Sequence, residues 1–247
     1  MELAVIGGTG LYDFPGLERP ERVLVDTPYG QASGPVVVGR LGGRRVGFLA
    51  RHGVNHTVAP HRINYRANLW ALDHLGARRI LAVNAVGGIG AAYGPRVLAV
   101  PHQIIDYTWG RISTFADEAS EEVVHIDFSE PYDRELRRGL LAAAQVAGVD
   151  VADGGVVAVT QGPRLETAAE IERLRRDGAD LVGMTSMPEA ALAREKGLAY
   201  ASLALVANWA AGCGDQAEIS MEEIHANLRD CTARVPAVVA ALLAALS

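Results

Sequence analysis

Two hydrophobic rhythms alternate along the chain. Short apolar runs, many of them β-branched, predict buried strands at Leu3–Ile6, Val23–Val25, Pro35–Leu41, Arg45–Ala50, Arg79–Asn84, Arg96–Pro101, Gly155–Thr160, Asp180–Gly183 and Tyr200–Ala207. Longer segments with apolar residues at helical spacing predict helices at Tyr65–Leu75, Pro131–Ala147, Thr167–Asp177, Pro188–Lys196 and Met221–Leu246. Strands alternating with helices over short connections predict one α/β domain, spanning residues 1–247, around a largely parallel or mixed sheet. The first third is richer in strands than in helices, which fits a simple doubly wound sheet poorly.

Composition narrows the picture. With 247 residues, 49% of them apolar, the chain can bury a substantial core. A formal net charge of −6 gives no reason to expect nucleic acid or an anionic membrane as partner. Arg173, Arg175 and Arg176 stand beside Glu170 and Glu172, the pattern of a solvated helix face. The apolar stretch Val235–Leu246 is too short to span a bilayer. The start, Met-Glu-Leu-Ala-Val-Ile, lacks a basic region and reads as a strand rather than a signal peptide. Two cysteines, Cys213 and Cys231, make neither a disulfide framework nor a zinc pattern, so a reducing cytoplasm is expected.

Candidate chemistry gathers at strand ends. Asn208 follows the run Tyr200–Ala207, which places an amide at the mouth of the sheet, where α/β folds bind ligands. An amide offers a donor and an acceptor, whereas a carboxylate only accepts. A 6-oxopurine with a protonated N7 needs one of each. Gly7-Gly8-Thr9-Gly10 follows the first strand. It fits a dinucleotide fingerprint badly, because Asp13 stands where Gly or Ala is needed and Pro15 interrupts the helix. A nest of N–H groups around a single phosphate, with the Thr9 hydroxyl, fits better. Arg51-His52-Gly53 and Asn84-Ala85-Val86-Gly87-Gly88 end two further strands. Together these ends predict an anion-binding rim.

These residues resemble a known family. Gly7-Gly8-Thr9-Gly10-Leu11, Arg51-His52-Gly53 with His56-Thr57, Asn64-Tyr65-Arg66-Ala67-Asn68, Gln161-Gly162-Pro163-Arg164 with Glu166-Thr167, and Met184-Thr185-Ser186-Met187-Pro188-Glu189 occur in the order and spacing of the trimeric purine nucleoside phosphorylases. The 5′-methylthioadenosine phosphorylase branch is the nearest. The resemblance implies a central mixed sheet, partly barrel-like, flanked by helices. It implies cleavage of a nucleoside by inorganic phosphate, a co-substrate, with no metal or organic cofactor, in a cytoplasmic homotrimer. By the same resemblance Thr9, Arg51, His52, Asn84, Ala85 and Thr185 hold phosphate. Arg51, His52 and Asn208 are the catalytic candidates. Met184 lies against the ribose, Leu165 stands where relatives often carry a Phe on the purine face, and Asn208 faces the base edge. His56 and His125 belong to the 5′ region of the sugar, His125 reaching from a neighbouring subunit.

Two departures bear on the substrate. Adenosine-type members carry Asp at the positions of Asn208 and Ala210; inosine- and guanosine-type members carry Asn at the first. Hydroxyl-preferring members carry His at the position of Met221. Here Met221 and Ile224, one helical turn apart, make an apolar face suited to a methylthio group. The implied nucleoside is 5′-methylthioinosine. Inosine or guanosine is the alternative, because His225 adjoins Ile224, and methylthioadenosine is a further one. A non-catalytic nucleotide-binding module is the rival of a different class. Asp117–Glu122 reads as a solvated acidic loop.

Overall fold

The computed structural model describes residues 1–8, 14–116, 122–214 and 219–246. Its first strands are β1 (Leu3–Gly7), β2 (Glu18–Val23), β3 (Val36–Leu41), β4 (Arg44–Ala50) and β5 (Arg79–Gly88). They are followed by β6 (Leu98–Val100), β7 (Gln103–Asp106), β8 (Ala152–Asp153), β9 (Val156–Val159), β10 (Leu181–Gly183) and β11 (Ala199–Trp209). The helices are α1 (Tyr65–His74), α2 (Arg134–Val146), α3 (Ala168–Arg176), α4 (Ser186–Glu195) and α5 (Met221–Ala245).

All eleven strands among the described residues join one mixed sheet that forks at β5. One arm runs β2-β3-β4-β1-β5-β10-β9-β7; the other passes from β5 through β11 to β6 and β8. β4, β1, β5 and β11 are parallel neighbours, so their carboxyl ends share one rim. Strand alternation decides which face each side chain joins. Leu3 and Val5 of β1 enter a core with Leu81, Leu203, α2 and α5, while Ala4 and Ile6 enter another with Ile80, Tyr200, α1 and α4. Helices therefore cover both faces. Side-chain caps start four of them: Asn64 on α1, Asp133 on α2, the Thr167–Glu170 capping box on α3, and Ser220 on α5. No helix among the described residues is long and apolar enough to cross a membrane.

The expected elements differ from the observed ones in four places. β2 lies earlier than Val23–Val25; its sequence Glu-Arg-Pro-Glu-Arg-Val is exposed and held as an edge strand by pairing with β3. β7 and β8 were not anticipated. They are short and only partly buried, so no hydrophobic run marks them. β5 continues through Ala-Val-Gly-Gly, which looks like a turn. Glycine there permits close backbone approach rather than a bend: a Cβ on Gly88 would lie 1.8 Å from the Tyr93 carbonyl oxygen. Finally, β11 runs on to Trp209, so Asn208 sits inside the strand rather than after it.

Candidate active site

A cavity of about 570 Å³ opens at the carboxyl rim of β1, β4, β5 and β11. Loops after β9 and β10 and the first turns of α5 complete its wall. Gly8, Arg51, His52, His56, Ala85, Leu165, Met184, Thr185, Asn208, Ala210, Met221 and Ile224 all contribute to it. Thr9, Gly10 and Leu11 lie outside the described residues, as does most of the Asp117–Glu122 segment.

The corner next to β1 is tightly bonded. Arg51 is 1% exposed and forms a bidentate pair with Glu189, Nε–Oε2 2.8 Å and Nη2–Oε1 2.9 Å. Nη2 also donates to the Ile6 carbonyl at 3.2 Å, and Nη1 to that of Val83 at 3.0 Å. Of five guanidinium hydrogens, one on Nη1 remains. Glu189 neutralises Arg51, and what reaches the cavity is a single fixed N–H. Burial alone would disfavour the guanidinium charge, yet the Glu189 carboxylate holds its pKa above the ordinary value. Tyr200 donates to the same carboxylate at 2.9 Å.

His52 is not a cation either. Burial is the main reason its imidazole is pulled down to about 4, and nearby Arg51 adds to the effect against an opposing hydrogen bond. Nδ1 lies 2.8 Å from the Val58 carbonyl oxygen. In the neutral ring Nδ1 therefore carries the proton and Nε2 is an acceptor. Burial also lowers His56, whose ring lies 4.5 Å from that of His52.

Asn84 stands behind the cavity wall. Ser202 Oγ donates to Asn84 Oδ1 at 2.8 Å, which orients the amide. Asn84 Nδ2 then donates to Thr185 Oγ1 at 2.8 Å. Thr185 thus receives one bond and keeps its own hydrogen for the cavity. Ser202, Asn84 and Thr185 form a directed relay.

At the other end, Asn208 Nδ2 donates to the Trp209 carbonyl at 2.6 Å. That bond uses one of the two Nδ2 hydrogens, so Oδ1 and a second N–H are left for a ligand, the donor and acceptor expected from the sequence. Glu166, which sequence reasoning passed over as a motif member, also lines the cavity. One of its oxygens accepts from Thr160 Oγ1 at 2.6 Å. His225 lines the cavity too, whereas His125 is exposed and is no part of this chain's cavity wall.

The roles of two further residues escaped sequence reasoning. Glu189 had a signal: it is the one acid in the apolar run Met187–Ala193. Arg111 had none. It donates to the Met184, Met187, Thr160 and Gln161 carbonyls at 2.6–3.2 Å and fastens both loops that carry Met184, Leu165 and Glu166.

The description "Phosphorylase superfamily" fits the family whose model matches residues 2–244. The chain belongs to this family. It is 60% identical over 240 residues to a probable S-methyl-5′-thioinosine phosphorylase of Xanthomonas campestris pv. campestris, covering 97% of this chain and 96% of that one. It is 47% identical over 215 residues to the 6-oxopurine nucleoside phosphorylase of Pyrococcus furiosus, covering 85% and 80%. The crystal structure of a methylthioadenosine phosphorylase from an antarctic soil metagenomic library superposes with a TM-score of 0.92 at 36% identity, covering 98% of this chain and 85% of the other. The phosphorylase fold accounts for the forked sheet and its rim of strand ends.

Proposed function

We propose that the enzyme cleaves S-methyl-5′-thioinosine with inorganic phosphate, giving hypoxanthine and 5-methylthioribose-1-phosphate. One observation carries this reading. The same cavity holds two acceptors, Asn208 Oδ1 and the Glu166 carboxylate, with the second Asn208 N–H available to a purine O6, and an apolar face made by Met221 and Ile224. Hypoxanthine has hydrogens on N1 and, when leaving, on N7, which match two acceptors. Adenine presents a lone pair at N1 and would meet the carboxylate unfavourably. A methylthio group suits Met221 and Ile224, where a buried hydroxyl without a partner would cost about 1–3 kcal/mol. Relatives named as probable S-methyl-5′-thioinosine phosphorylases support the same substrate.

Phosphate is the nucleophile. The Arg51 N–H, the Thr185 hydroxyl and the backbone N–H groups near Gly8 and Ala85 hold it beneath the sugar, with Thr9 as a further donor. Neutral His52 accepts, through Nε2, a hydrogen bond from the monohydrogen phosphate. The C1′–N9 bond breaks as a C1′–O bond to phosphate forms. Positive charge developing on the sugar is stabilised by the phosphate. The purine leaves with the electron pair and gains at N7, relayed through water, the proton that the phosphate gives up as its ester dianion forms; Asn208 Oδ1 accepts a hydrogen bond from that N7–H. No metal or organic cofactor enters this scheme, and nucleic acid and membrane have no part in it.

The working unit is a homotrimer in the cytoplasm, with His125 closing a neighbour's 5′ pocket. Exposed Trp109 and Ile112, and exposed Val123 and Val124 just before His125, support a subunit interface. Inosine is the second reading, favoured by His225 at the cavity wall. A phosphorolysis panel of methylthioinosine, methylthioadenosine, inosine, guanosine and adenosine tests the proposal. Methylthioinosine should lead methylthioadenosine by ~100-fold in kcat/KM. Equal cleavage of methylthioadenosine, or base release without phosphate, would overturn it.

A further inference from the structure

The pairing of β11 with β5 breaks at one point. It runs in step from Ala199–Arg79 to Val206–Val86 and resumes at Asn208–Gly87, so Ala207 is the extra residue of a bulge. Adjacent residues of an unbroken strand face opposite sides of the sheet. Across this bulge both Ala207 and Asn208 line the cavity. Bulges re-aim side chains in this way, and they take a backbone carbonyl out of the ladder.

That carbonyl has a dedicated partner. Asn227 of α5, 3% exposed, donates from Nδ2 to the Ala207 oxygen at 2.8 Å. Its Oδ1 accepts from Arg96 Nε at 2.8 Å, which fixes the amide the right way round. Arg96 also pairs with Asp230 of α5 at 3.2 Å, and its own backbone N–H donates to the Val206 oxygen at 2.8 Å. Arg96 holds a left-handed φ of 71° to do this. The loop before β6, the first turns of α5 and the end of β11 thus converge on the bulge. Asn227 adjoins Leu228 and lies one turn from Ile224, both of which line the cavity.

We propose that Asn227 is a positioning residue for base selection. It clamps the Ala207 bulge that aims Asn208 into the cavity, and it ties that bulge to the helix bearing Met221 and Ile224. Arg96 orients the clamp. The inference rests on Asn208 reading the base, as in the function proposed above.

Full-length Asn227→Leu, Asn227→Asp and Arg96→Met variants test it, with hypoxanthine and adenine affinities measured by calorimetry beside the phosphate KM and the Tm. Leu removes the donor and the acceptor. Asp keeps a partner for Arg96 but cannot donate to Ala207. Arg96→Met alters an exposed side chain and leaves a folded protein to measure. In both Asn227 variants the ratio of the two base affinities should narrow about 10-fold, and in Arg96→Met about threefold, with phosphate KM within about twofold of wild type. An unchanged ratio in the folded variants, or an equal loss for both bases alongside a lower Tm, would overturn the clamp and leave Asn227 a packing residue. Wild-type preference for adenine would instead overturn the substrate reading; narrowing of that preference in the variants would still support the clamp.

Discussion

The two ends of the cavity are built on opposite plans. At the β1 corner the described polar side chains are oriented from within the protein: Arg51 and Glu189 are 1% and 0% exposed, and Thr185 is aimed through Asn84 by Ser202. At the α5 end the wall is apolar and open, with Met221 56% exposed. The comparison separates two tasks. On the proposed function the rigid corner receives phosphate, which is common to every reaction of this type, and fixed donors gain most from preorganisation. The base and the 5′ group distinguish one nucleoside from another, and their walls are made of a few side chains that can change with little consequence for the fold.

Substitutions that respect or violate this division should differ sharply in kind. The largest effect belongs to the rigid corner. Glu189→Ala leaves the buried Arg51 charge without its partner and should cost about 3–5 kcal/mol of stability. Urea unfolding measures this directly, and a loss below about 1 kcal/mol would show that the pair is not the anchor of that corner.

Acid acts on the same end. The unfolded chain takes a proton on His52 near the ordinary value of 6.5, but the folded one refuses it until about 4. The unfolded state therefore binds more protons in that window. Stability is intact above 6.5 and falls as pH drops towards 4, by up to about 3 kcal/mol from this one group. A His52→Asn variant should show a flatter decline of Tm between those values; an identical decline would remove His52 as the source.

At the open end the effects should appear in specificity and not in stability. Asn208→Asp is expected to narrow the preference for methylthioinosine over methylthioadenosine by most of ~100-fold, with Tm little changed. Kinetics on the two nucleosides decide it, and an unaltered ratio would take Asn208 away from the base. The smallest effect should come from Met221→His. It supplies a hydroxyl partner at the cavity mouth and should move the methylthioinosine-to-inosine ratio about 10-fold towards inosine. If the ratio stays put, His225 already serves the hydroxyl.

The helices were legible in the sequence to within a few residues, because periodic apolar positions and caps such as Asn64, Asp133, Thr167 and Ser220 are local signals. The parallel central strands were legible for the same reason. β7 and β8 were not, since they are ordered by pairing and not by an apolar run of their own. At the site, Arg51, His52 and Asn208 stood out by residue type and position after expected strands, and Thr185 came only from the family resemblance. What each offers to a ligand did not stand out.

Sequence by itself determined the α/β class, the rim of glycine-rich strand ends and the departures at Asn208, Ala210 and Met221, all matters of residue identity along the chain. Tertiary structure alone decided the state of those groups. Glu189, 138 residues away in sequence, turns Arg51 from a free cation into a fixed donor. Val58 sets the tautomer of His52, Asn84 aims Thr185, and Trp209 takes one of the two amide hydrogens of Asn208. Hydrogen bonding and burial depend on what lies within about 3 Å in space, and distance along the chain does not specify that.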